Sequence, residues 1–152
     1  MIRRYGEPVV SKQRYIHRAG AYAVLPRDGK LLVTLQTHPR VEVQLPGGGI
    51  DPGESTLRAL HREVFEETGW HIATPRRLGA FRRFVYMPEY DMWAEKLCHI
   101  YTARPIRPHG PPREDGHTAL WLTPDAAFET LGNPGDADFV ASLFGVLRPR
   151  LP

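Results

Sequence analysis

Gly48-Gly49-Ile50-Asp51-Pro52-Gly53-Glu54-Ser55-Thr56-Leu57-Arg58-Ala59-Leu60-His61-Arg62-Glu63-Val64-Phe65-Glu66-Glu67-Thr68-Gly69-Trp70 decides how the rest of this chain is read. Pro52-Gly53 marks a turn, Ser55 supplies an N-cap, and Gly69 stands where a helix closes, so the spacing predicts a helix through about Thr68. At ~100° per residue, Glu63, Glu66 and Glu67 share an arc of about 100° on one face. Leu57, Leu60 and Val64 form an apolar stripe beside that arc, the side expected to pack on a sheet. Three carboxylates therefore crowd at the margin of a buried face. Like charges at this spacing cost roughly a few tenths of a kcal/mol per pair even when exposed. The arginines nearest in sequence, Arg58 and Arg62, do not sit at the centre of the triple. Hard divalent cations take oxygen ligands, so Mg²⁺ is the natural counter-ion, with Mn²⁺ able to substitute. A glutamate-rich helix is more often a solvated surface. Gly47-Gly48-Gly49 tips the balance, because bare backbone there lets N–H groups approach an anion and carbonyls approach a metal.

Outward from this helix, the chain alternates strands and helices. Ala19 to Pro26 reads as a buried strand, Asp28-Gly29 as a type I′ hairpin turn, and Leu31 to Leu35 as the return strand. A short strand over Val41 to Leu45 runs into Pro46-Gly47-Gly48-Gly49, where no regular element is expected to continue. After the helix come strands around Leu78–Tyr86 and Glu95–Ala103. A proline-rich stretch, 105–116, holds Pro105, Pro108, Pro111 and Pro112 and is expected to be a loop. His117 to Leu122 is a short strand, Thr123-Pro124-Asp125 opens a helix, and Asp136 to Leu147 is a last helix, capped or preceded by Asn133-Pro134-Gly135. Residues 1–17 are an arm or an edge strand. This order predicts an α/β or α+β sandwich, a mixed sheet with helices on its faces.

With 152 residues the chain suits a single domain, 1–152. The single cysteine, Cys98, excludes an internal disulfide and fits a reducing compartment. No apolar run follows the basic N-terminus and none approaches the ~20 residues of a membrane helix, so a cytoplasmic location without membrane association is expected. A net charge of +3 suits an anionic small molecule and is too small to argue for nucleic acid.

Gly48, Glu54, Arg62, Glu63, Glu66, Glu67 and Gly69 stand at the fixed positions of the Nudix box, and the chain resembles the Nudix hydrolases over the 23 residues Gly48 to Trp70. The resemblance implies a Nudix-like α/β/α sandwich, with a mixed sheet and helices on both faces. It also implies a pyrophosphohydrolase that cleaves a diphosphate linkage in a nucleoside diphosphate-X substrate by water attack on phosphorus. In such proteins the box holds Mg²⁺ against a diphosphate. Carried over, Glu63, Glu66 and Glu67 are the metal ligands, the Gly48 carbonyl completes the shell, Arg62 orients Glu63, and Glu54 braces the loop. Trp70 departs from the bulky aliphatic residue more usual there. Related enzymes take the general base either from the helix or from a later loop. Glu63 is the first candidate; Glu114 and Asp115 follow, on a loop where a mobile acid is placed to swing toward the metal. Glu95 is a third. Cys98 reads as strand core, not nucleophile.

Substrate-side candidates are Gly48 and Gly49 in the loop, Arg82 and Arg83 facing a phosphate, Tyr86 with Tyr90 and Trp93 closing over a base, and Asn133. Exposed strand faces and hairpin packing are the alternatives for the arginines and aromatics. Tyr86 lies near the offset of a tyrosine in dinucleoside polyphosphate hydrolases of the family, Pro88 near that of a proline in its ADP-ribose hydrolases. Asn133 resembles a base-reading asparagine in its oxidised-purine nucleotide hydrolases. Together they favour a nucleotide or dinucleoside polyphosphate. The alternatives are a non-catalytic nucleotide-sensing Nudix module and an RNA 5′-end pyrophosphohydrolase. Nothing in the sequence encodes the oligomeric state.

Overall fold

The computed structural model describes residues 2–147. The chain runs β1 (Arg3–Gly6), β2 (Ile16–Val24), β3 (Pro26–Arg27), β4 (Lys30–Gln36), β5 (Glu42–Gln44), β6 (Gly47–Gly49), α1 (Thr56–Thr68), β7 (Trp70–Met87), β8 (Met92–Pro108), β9 (His117–Leu122), α2 (Pro124–Thr130) and α3 (Pro134–Phe144). A single 3₁₀ turn, Pro88–Tyr90, joins β7 to β8. A mixed five-stranded sheet has the order β1-β7-β8-β2-β6, with β1 parallel to β7 and β2 parallel to β8. A second sheet is built on β4, which pairs antiparallel with β3, β5 and β9.

Side chains alternate across the strands, and the alternation sorts the core into two halves. Ala21 and Ala23 of β2, Leu32 of β4 and Tyr101 and Ala103 of β8 pack with Leu60 and Val64 of α1. Val24, Leu31, Val33, Cys98 and Ile100 point the other way, onto Ala127 and Phe128 of α2 and Val140 and Ala141 of α3. The strands thus form a middle layer with α1 on one side and α2 and α3 on the other, the α+β sandwich the pattern predicts. Cys98 is a buried member of the second half, and burial pushes its thiol up to about 12. Among the described residues, no helix is long and apolar enough to cross a membrane.

Four expectations need correction. Gly47–Gly49 does continue as a strand, β6, paired with β2 through Tyr22↔Gly47, Ala21↔Gly48 and Gly20↔Gly49. Tertiary pairing overrides glycine's poor strand preference, because β2 presents a free ladder edge. The loop expected over 105–116 begins only at His109, since β8 reaches Pro108 and pairs Ile72↔Pro105 and Trp70↔Pro108. Beyond Thr102 the other edge of β8 is no longer bonded to β2, so a residue without an N–H is tolerated there. Leu57 is 44% exposed, whereas Leu60 and Val64 are fully buried. Leu57 sits in the first turn at the margin of the buried arc, which is centred on Leu60 and Glu67. The last helix starts at Pro134 and stops at Phe144, because Asn133 caps it and Gly145 closes it with φ 65°. The segment expected as an arm or edge strand does place β1 at a sheet edge, beside β7.

Candidate active site

α1 carries the carboxylates and is fixed at both ends. Ser55 Oγ accepts from Arg58 N at 3.2 Å, and Gly69, at φ 77°, donates its N–H to Phe65 O at 2.8 Å. The helix is laid directly over β6, and this contact explains the glycines. A Cβ on Gly48 would lie 2.5 Å from the Glu63 carboxyl carbon, and one on Gly47 (φ 151°) would lie 2.2 Å from Ala21 O. With bare backbone, Gly47 N instead donates to Glu67 Oε1 at 3.1 Å. The strand can therefore meet the carboxylates only as glycine.

Arg62 organises the remainder. Its Nε and Nη2 donate to the two oxygens of Glu54 at 2.7 and 2.8 Å, and its Nη1 donates to Glu63 Oε1 at 2.9 Å and Glu66 Oε2 at 3.4 Å. Nη2 also donates to Gly49 O at 3.1 Å. Five bonds use the five N–H groups a guanidinium possesses. Glu54 in turn accepts from Asp51 N at 3.0 Å, which pins the loop before α1. Hydrogen bonds from Arg62, then from the Asp51 backbone, hold the Glu54 carboxyl down at about 2. Burial instead pushes Glu63 up to about 7 against the pull of Arg62, with Glu66 and Glu114 adding repulsion. Burial raises Glu67 well above the carboxylate range despite the Gly47 N–H.

The loop after β8 completes the cluster. His109 N donates to Gly69 O at 2.7 Å, and Arg113 N and Glu114 N both donate to Glu66 O, at 2.8 and 2.9 Å. Carbonyls that a helix C-terminus would leave orphaned are satisfied by this loop. The backbone of Glu114 is consequently held against α1. Its carboxylate forms one group with Glu63 and Glu66 and a second with Glu67 and His117; within each group the ligand atoms lie inside 4.8 Å of one another. His117 Nε2 is 3.6 Å from Glu114 Oε1 and 4.0 Å from Glu67 Oε2, while Nδ1 is hydrogen-bonded to buried Thr34 Oγ1 at 2.9 Å. Sequence reasoning missed His117, reading it only as the start of a strand. Its one sequence signal is its position three residues after Glu114.

The donor set suits a hard divalent cation: two carboxylate groups adjoin at Glu114, and the Arg62 guanidinium beside them is shared with Glu54 and the Gly49 carbonyl. Burial of Glu63 and Glu67 disfavours their charged forms, and a cation would reverse that cost.

The other candidates lie apart; among the described residues, no hydrogen bond or ion pair joins them to these carboxylates. Arg82 Nη1 is 3.6 Å from Glu95 Oε1, so Glu95 is engaged on the sheet. The Nε atoms of Arg82 and Arg83 are buried without a hydrogen-bond partner among the described residues. Tyr86 donates to Asp91 and packs on Trp93 at 5.5 Å, as a β7–β8 hairpin pair. Asn133 Oδ1 accepts from Gly135 N at 2.9 Å, capping α3.

The NUDIX domain model matches residues 15–143, and the chain belongs to that family. It is 27% identical over 134 residues to the CTP pyrophosphohydrolase of Escherichia coli (strain K12), covering 86% of this chain and 93% of that protein. It is 33% identical over 138 residues to the 8-oxo-(d)GTP phosphatase of Mycolicibacterium smegmatis, covering 82% of this chain and 40% of that one. The chain spans about half the length of the curated Bacillus subtilis relatives it matches, 52% and 51%. In fold it is similar to a NUDIX hydrolase from Nitrosomonas europaea, with a TM-score of 0.67 at 21% identity over 88% of this chain and 97% of that one.

Proposed function

We propose that this chain is a magnesium-dependent pyrophosphohydrolase of the cytoplasm, hydrolysing a diphosphate linkage in a nucleotide or dinucleoside polyphosphate. The observation that carries the reading is the pair of adjoining clusters that meet at Glu114 beside a glycine strand, Glu63 and Glu66 on one side and Glu67 and His117 on the other. Relatives named for CTP and 8-oxo-(d)GTP support a nucleotide substrate.

Glu63, Glu66, Glu67 and Glu114, with the Gly48 carbonyl, would hold the metal. When bound, the ion supplies neutralisation of the charge that develops on the phosphoryl oxygens and acidifies the attacking water. Arg62 holds Glu63 and Glu66 in place and ties them to the loop through Glu54. A water oxygen forms the new bond to phosphorus as the bond to the bridging oxygen breaks, and the water's proton passes to a carboxylate. Glu63 and Glu114 are the two candidates for that proton. The geometry favours Glu114, because Glu63 is pinned by Arg62 and pressed on Gly48, whereas Glu114 opens onto the adjoining cavity. His117, beside Glu114 and fixed by Thr34, orients it.

The test is a product-identification screen with Mg²⁺ over nucleoside triphosphates, dinucleoside polyphosphates, ADP-ribose and a sugar nucleotide. Cleavage of one nucleotide well above the others, abolished by EDTA, is the expected result. Mg²⁺-dependent nucleotide binding without any cleavage would make the chain a sensing module.

A further inference from the structure

A cavity beside the carboxylates is lined by Arg62, Phe65, Glu66, Arg113 and Glu114. Its two cations are in opposite situations. All five N–H groups of Arg62 are spent on Glu54, Glu63, Glu66 and the Gly49 carbonyl, so it has none left for a ligand. Arg113 has no carboxylate within 4.0 Å among the described residues. Its guanidinium lies over the Phe65 ring, 4.8 Å from the centroid. Phe65 is in turn stacked on His71 at 4.9 Å and met by the edge of His109 at 5.4 Å. An arginine resting on an aromatic face keeps its planar N–H edge open, and that edge matches a phosphate in two-point fashion. The backbone N–H of Arg113 is bonded to Glu66 O, which fixes where the side chain starts.

We propose that Arg113 is a specificity-determining residue: it receives the phosphate lying beyond the scissile linkage, so that the site selects nucleoside triphosphates or longer polyphosphates over two-phosphate sugar nucleotides. This rests on the diphosphate-hydrolase reading above. Each further phosphate brings negative charge toward a cluster that is already rich in carboxylates. With Arg62 saturated, Arg113 is the lining cation placed to meet it. Phe65 serves as the platform that keeps the guanidinium at the rim and out of the carboxylate cluster.

Arg113→Gln and Arg113→Lys test this against wild type, because both keep the backbone bonds that dock the loop. Kinetics are measured on a nucleoside triphosphate and on a nucleoside diphosphate sugar, and calorimetry measures binding of magnesium tripolyphosphate and magnesium pyrophosphate. In Arg113→Gln the ratio of kcat/KM for triphosphate to that for sugar nucleotide is expected to fall about tenfold, mainly through KM. Tripolyphosphate affinity falls about tenfold with it, pyrophosphate affinity by much less, and Arg113→Lys recovers part of both. An equal loss of kcat on both substrates, with tripolyphosphate affinity unchanged, would assign Arg113 to loop support and overturn the proposal. If wild type cleaves neither substrate, the choice between hydrolase and sensing module falls to the wider screen above. Calorimetry then decides alone: loss of tripolyphosphate binding in Arg113→Gln upholds the phosphate site, and its retention removes it.

Discussion

Glu67 is 5% exposed, accepts one backbone N–H and lies 4.0 Å from a histidine nitrogen. Burying a lone carboxylate is costly, and the group shifts its pKa upward in response. A glutamine at this position keeps an oxygen for Gly47 N and removes the charge. Glu67→Gln should therefore remain folded, with a Tm at or above wild type in EDTA, while turnover with Mg²⁺ falls by at least ~10²-fold. Circular dichroism melts beside steady-state rates measure both; an unaltered rate would remove Glu67 from the metal ligands. Glu54 shows the opposite condition, since Arg62 stabilises its charge and leaves it a strut of the loop.

At the scale of elements, the end of α1 and the loop after β8 form one unit. Gly69 is required there twice, once for its φ of 77° and once because a Cβ would come 1.9 Å from Gly110 O. Gly145 closes α3 at φ 65° with nothing within 4 Å of such a Cβ, which makes it a matched control. Each Gly→Ala change should cost about 1 kcal/mol for the left-handed backbone, or roughly 2–4 °C in Tm. Only Gly69→Ala also pushes Gly110 away and carries Glu114 with it, so its kcat should fall at least about tenfold while Gly145→Ala stays near wild type. Equal activities for the two variants would show that the end of α1 does not position Glu114. Pairing likewise decides β6, where three glycines form a strand because β2 and α1 enclose them.

At the scale of the whole molecule, α3 is tied to the sheet through a buried acid. Asp136 is 5% exposed, and burial pushes its carboxyl up to about 7, opposed by Arg83 and Lys96. Its folded pKa lies above the unfolded value, so the folded state binds the extra proton and stability declines as pH rises. The contribution is complete below about pH 4 and is lost as pH passes through about 7. Glu63 acts in the same direction, so the comparison needs EDTA and a paired variant. In Asp136→Asn the decline in Tm between pH 5 and 8 should be visibly shallower than in wild type; parallel curves would place the proton elsewhere.

Local chemistry was enough to read α1, its caps, the Asp28-Gly29 turn and the carboxylate triple, because helix periodicity, capping and positive φ are properties of neighbouring residues. Both turn positions indeed have positive φ, 52° and 78°. The family followed from the same 23 residues and was met by the match over 15–143. What the sequence could not contain was every feature made by distant segments meeting. His117 reaches Glu67 across fifty positions, Glu114 docks on Glu66 through backbone bonds that no side-chain pattern announces, and Arg113 lies over Phe65. Leu57, in phase with the core stripe, is 44% exposed. Periodicity reports which side of a helix is apolar but not where the neighbouring layer ends. The sequence by itself determined the helix and the acids it carries; only the tertiary structure decided which oxygens and nitrogens converge around them, since convergence depends on packing between layers rather than on spacing along the chain.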